Sequence, residues 1–94
     1  MENTNKDETY NEELNKFLHS YDFMKLGQAI SHNQWQPAAM TIQRMTRQAK
    51  ELGITCFDRP FTGLRQAINR KNAEEAKQIL ATVIAKRVRL MEGE

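Results

Sequence analysis

A chain of 94 residues holds one small domain, with enough material for a single hydrophobic core but not for two. Its 39% hydrophobic and 28% charged residues suit a globular protein in water. No apolar run approaches the roughly 20 residues of a membrane span, and Met1-Glu2-Asn3-Thr4-Asn5-Lys6-Asp7 offers no apolar signal segment.

Strand signals are sparse, while apolar residues recur at three-four spacing along the chain, so helices are expected throughout. Residues 1–7 read as a disordered start and 8–94 as a single helical domain. A first helix over about 8–19 places Tyr10, Leu14, Phe17 and Leu18 on one side. The Ser20-Tyr21-Asp22 stretch offers a fresh N-cap. From it a second helix runs over about 22–32, striped by Phe23, Leu26 and Ile30. Gly27 lowers its propensity at a place where another helix can come close.

The third helix begins near Asn33 or Gln34, because Pro37 is tolerated only in a first turn, where the backbone N–H groups have no intrahelical partner. Its stripe is Trp35, Ala38, Ala39, Ile42, Met45, Ala49 and Leu52, and Gly53 is a C-terminal cap. The connection Ile54-Thr55-Cys56-Phe57 is expected to tuck apolar side chains under the end of the bundle. Asp58 caps a fourth helix with Pro60 in its first turn and Phe61, Leu64, Ala67 and Ile68 facing inward. Asn72 followed by Glu75 resembles a capping box, from which a fifth helix runs to about Leu90. That helix buries Ala76, Leu80, Val83 and Ile84, with Ile79 at the border.

Short connections make successive helices antiparallel neighbours. The expected fold is all-α, an antiparallel up-down four-helix bundle of helices two to five, with an additional N-terminal helix across one end. Its expected core is Trp35, Ile42, Met45, Leu52, Phe61, Leu64, Ile68, Leu80 and Val83.

The stretch from Asn33 to Gly53 resembles the long central helix of histidine phosphotransfer (HPt) domains. In that family an aromatic residue near the helix start is followed eight residues later by the phospho-accepting His. Lys and Gly follow three and four residues after it, and a Leu-Gly-like exit closes the helix at ten. Counting forward from Trp35 and counting back from Gly53 both arrive at position 43, which is Gln43. Thr46 and Arg47 stand where Lys and Gly would be. The resemblance extends over residues 22–88, and Asn69 to Leu80 is similar to the family's inter-helix turn and Ala/Glu-rich last helix. It implies a degenerate HPt-like bundle without its phospho-histidine.

An amide is no nucleophile at neutral pH, so Gln43 cannot carry phosphate, and Arg47 would crowd the approach of a phospho-aspartate. Thr46 has a hydroxyl but no base to activate it. His19 and His32 fall at helix C-termini, where a surface imidazole meets a favourable dipole, and they read as surface residues. Trp35 reads as core.

Met40, Gln43, Arg47 and Lys50 share one face of the third helix, flanked by Arg44 and Thr46. By resemblance this side docks the receiver domain of a response regulator or a histidine-kinase domain. A mixed Met/Gln/Arg/Lys face suits protein binding better than catalysis.

Two other readings stand beside this one. The chain could be a helical-bundle adaptor or oligomerisation protein unrelated to phosphorelay. A third, weaker reading is a small nucleic-acid-binding helical protein using Arg44, Arg47, Lys86, Arg87 and Arg89. Its net charge of +2 is too small to argue for that alone. The charge is unevenly placed: residues 1–21 carry five acids against two bases, and residues 58–94 carry eight bases against five acids.

An enzyme is not expected. There are no paired carboxylates, phosphate loop or nucleophile–base set. The single cysteine, Cys56, cannot form an intrachain disulfide, and no Cys/His cluster has zinc spacing, so no metal or cofactor is expected. These features point to a reducing, cytoplasmic compartment.

Overall fold

The computed structural model describes residues 12–92, so the expectation for residues 1–7, and Tyr10 with it, lies outside the described residues. Residues 12–18 are helical and form the described part of α1. Four helices follow: α2 (Tyr21–Ser31), α3 (Trp35–Glu51), α4 (Asp58–Asn69) and α5 (Ala73–Met91). No strand occurs among the described residues. Contacts run from α2 to α3, α3 to α4 and α4 to α5, and α5 closes back on α2. The protein is an all-α helical bundle.

Two of the helix starts follow from side-chain caps. The Ser20 hydroxyl accepts a hydrogen bond from the Asp22 amide at 3.1 Å, and the Asn72 side chain accepts one from the Glu75 amide at 3.1 Å. Each satisfies a donor that the first turn leaves unpaired. Pro37 is the third residue of α3, within the first turn as its missing N–H requires. At α4 the expectation needs correcting. Asp58 is the first helical residue and the cap position belongs to Phe57, which makes no side-chain cap bond. Phe57 stands there because its ring is wholly buried, while the Asp58 carboxylate still lies in the first turn and complements the helix dipole.

Three helices end in the same way. After α2, Asn33 takes φ +56°; its amide donates to the Ile30 carbonyl and the Gln34 amide to that of Ala29. After α3, Gly53 (φ +73°) and Ile54 repeat the pattern onto Lys50 and Ala49, and after α4, Lys71 (φ +56°) and Asn72 repeat it onto Ile68 and Ala67. These are Schellman closures, which pair carbonyls that the last turn would otherwise leave free.

Lys71 is the misfit among the three, since left-handed backbone costs a residue with a Cβ roughly 1–2 kcal/mol. Lys71→Gly is therefore expected to stabilise the fold by about 0.5–1 kcal/mol, the gain being reduced by the extra freedom of Gly in the unfolded chain. Urea denaturation measures it, and an unchanged or lower midpoint would refute the strain.

The core runs through all the described helices. Of the nine residues expected there, Ile42, Met45, Phe61, Leu64, Ile68 and Val83 are buried. Trp35, Leu52 and Leu80 are only partly buried and pack against the core from its margin. Trp35 opens α3 and Leu52 is its C-cap, so both lie at a rim where fewer neighbours cover them.

At one end of the bundle Phe17, Phe23, Phe57 and Phe61 form an aromatic cluster. Phe57 stacks on Phe61 at 4.9 Å and meets the edge of Phe17 at 5.9 Å. The Arg87 guanidinium lies 5.2 Å from the Phe23 ring centre and donates to the Leu18 carbonyl, tying α5 to the end of α1.

The α2–α3 and α4–α5 hairpins repeat one pattern. Phe23, Leu26, Gln28, Ala29 and Ile30 correspond to Phe61, Leu64, Gln66, Ala67 and Ile68, each pair 38 residues apart in the numbering. The correspondence continues through the left-handed Asn33 and Lys71 to Ala38/Ala76, Ile42/Leu80 and Met45/Val83. Both hairpins thus present an equivalent apolar stripe and turn in the same way.

Candidate functional site

The inward stripe of α3 is Ala38, Thr41, Ile42, Met45 and Ala49, all buried. With 3.6 residues per turn this leaves Met40, Gln43, Arg47 and Lys50 on the outer side, and all four are exposed. Met40 stands out because 61% of its surface meets solvent, a large exposure for an apolar side chain. Among the described residues, neither Arg47 nor Lys50 has a carboxylate within ion-pair distance. The face therefore offers an apolar contact, an amide and two free cations in one row.

The two flanking residues behave differently. Arg44 grips Asp22 of α2 with both ends of its fork: Nε donates to Oδ2 at 3.1 Å and Nη2 donates to Oδ1 at 2.9 Å. Asp22 is buried, while about half of the Arg44 side chain stays in solvent. The hydrogen bond to Asp22, and then its negative charge, raise the Arg44 pKa above its ordinary value, so the guanidinium remains charged. Its fork is directed at α2 and is already occupied.

Thr46 is half-buried, and its hydroxyl donates to the Ile42 carbonyl one turn back at 2.7 Å. That bond holds the hydroxyl hydrogen against its own helix. Of the six residues named for this site, the structure brings four together on an open row and gives the other two partners within the protein.

Sequence reasoning passed over the neighbouring surface of α2. Tyr21 is 60% exposed, and the Lys25 ammonium lies 5.7 Å from its ring centre. Between α2 and α3 runs a groove of about 520 Å³ whose lining includes Lys25, Gln28, Gln36, Met40 and Arg44. The signal for Tyr21 and Lys25 was available, since both fall opposite the buried Phe23, Leu26 and Ile30.

The remaining candidates stand apart. His19 and His32 are exposed, His19 in the turn after α1 and His32 as the C-cap of α2. Lys86 and Arg89 lie on the last turns of α5, but Arg87 is engaged with Leu18 and Phe23, so this run is not an open row of cations. Among the described residues, no group of three His, Cys, Asp or Glu side chains could hold a metal ion. No described helix is long and apolar enough to cross a membrane.

No family model matches this chain, and neither a curated protein nor a solved structure matches it.

Proposed function

We propose that this domain is an HPt-like, up-and-down four-helix bundle with α1 laid across one end, and that it binds a receiver or histidine-kinase domain without carrying phosphate. The observation behind this reading is the exposed Gln43 between Met40, Arg47 and Lys50, at the position where the resemblance calls for a phospho-accepting His. The side chain faces solvent, where a docking partner reaches it, yet an amide cannot take a phosphoryl group. An acidic receiver pocket complements Arg47 and Lys50. The domain then acts in the cytoplasm as a competitor or scaffold of a relay.

The chemistry is tested by incubation with an active histidine kinase, a phosphorylated receiver and Mg²⁺. The protein is expected to acquire no acid-labile phosphate while still binding the receiver in a pull-down. Stoichiometric labelling that vanishes in His19→Ala or His32→Ala would overturn the reading. Gln43→His alone is expected to restore little transfer, because Arg47 still crowds the site.

An adaptor or oligomerisation module unrelated to phosphorelay is the second reading. It draws on Val88 and Met91, which stay exposed on the last turns of α5. Sedimentation separates the two, since this second reading requires self-association or a partner that ignores α3. The nucleic-acid reading loses support, because two of its five cations, Arg44 and Arg87, are bound within the protein.

A further inference from the structure

The 38-residue correspondence between the apolar stripes of the hairpins does not extend to the residues of their outer grooves. In the first hairpin, Asp22 and Arg44 tie α2 to α3 across their outer groove. Their counterparts in the second hairpin are Pro60 and Thr82, and the counterpart of Lys25 is Gly63. None of these three is long or charged enough to bridge two helices. Between α4 and α5 lies a groove of about 560 Å³ that no ion pair of its lining residues crosses; it is lined by Pro60, Gly63, Ile79 and Thr82 and by the cations Arg59 and Lys86. Its volume falls in the range that accepts several large side chains.

The floor of the groove is apolar and tightly drawn. A Cβ added at Gly63 would sit 3.4 Å from the Ile79 Cδ1, so the glycine leaves the half-buried Ile79 open from the α4 side. The rim is cationic. Among the described residues, neither Arg59 nor Lys86 has a carboxylate within ion-pair distance, although Asp58 also lines the groove.

We propose that the α4–α5 groove docks an acidic amphipathic helix of a partner protein. The helix lays its apolar row over Gly63 and Ile79 and brings carboxylates to Arg59 and Lys86. This is the helix-in-groove mode, with apolar anchors at i, i+3/i+4 and i+7 and charge complementarity setting orientation. The surface belongs to a different hairpin from the α3 row, so the proposal holds whether or not the α3 row binds a receiver.

The probes are two helical peptides of about 18 residues, five turns each, with the same leucine row flanked in one by Glu and in the other by Lys. Calorimetric titration into the whole chain is expected to give saturable binding of the Glu peptide alone. An environment-sensitive fluorophore on Cys56, an exposed residue that lines the groove, is expected to report the same event. Gly63→Met extends an unbranched side chain into the groove and improves helix propensity, so it is expected to weaken the peptide at least about tenfold without loss of stability. The double variant Arg59→Glu/Lys86→Glu, which leaves the floor untouched, is expected to weaken it as much. Arg47→Glu on α3 is expected to leave the affinity unchanged.

Several results would overturn the proposal. These are no saturation up to about 1 mM, the weak end of specific recognition, preference for the Lys peptide, or affinity as high as the parent's in both groove variants. Self-association that Gly63→Met disperses would overturn it as well, by making a second copy of the chain the occupant.

Discussion

Replacing Phe57 by Ala is expected to lower the unfolding free energy by about 3–5 kcal/mol, although the residue lies outside the inward stripes of the helices. Its ring is fully buried, stacked on Phe61 and in edge contact with Phe17. Truncation removes the apolar transfer free energy and opens a cavity among Phe17, Phe23 and Phe61, three rings on three different helices. Those rings cannot all move inward without displacing their helices, so the cavity persists. Small domains hold only about 5–15 kcal/mol in total, so this variant should be close to unfolded at 37 °C. The adjacent Cys56→Ala is the control, expected to stay within about 0.5 kcal/mol because Cys56 is exposed. Urea denaturation of the two variants side by side decides the matter. A loss under about 1 kcal/mol for Phe57→Ala would mean that the aromatic cluster does not hold this end of the bundle.

Arg47→Glu is expected to weaken a receiver-type partner by about 2–5 kcal/mol if the Arg47 contact is desolvated in the complex. The substitution replaces a free cation at the centre of the Met40–Lys50 row with an anion, turning attraction toward an acidic pocket into repulsion. Stability should barely change, because the side chain is exposed and has no partner carboxylate among the described residues. Lys77→Glu, also exposed but on α5, is expected to alter affinity far less. Titration calorimetry against the same receiver domain gives both values. If both variants bind it as well as the parent, the α3 row is ordinary solvated surface and any docking lies elsewhere.

Helix limits were legible because the groups that set them are local. Pro37 must lie in a first turn, Gly53 favours a left-handed exit, and the Ser20 and Asn72 side chains reach amides two and three residues ahead. The outward row Met40, Gln43, Arg47 and Lys50 was legible for the same kind of reason, since a period of 3.6 residues assigns both faces of α3 once one is apolar. Lys71 was not legible as a helix exit. Nothing in a lysine favours positive φ, and the two capping bonds to Ile68 and Ala67 impose it.

Tertiary structure alone decided which polar residues of the site are free. Arg44 and Arg47 were both expected at the docking face, yet Arg44 is held by a carboxylate 22 residues away and Arg47 by none among the described residues. Arg87 is likewise bound to a carbonyl 69 residues away. Phe57 read as part of a connection that tucks apolar side chains under the bundle end, and it stands in a four-ring cluster because α1, α2 and α4 bring three more rings to it. Periodicity reports which way a side chain leaves its own helix. What it meets there depends on how the helices pack, and that is a property of the whole chain.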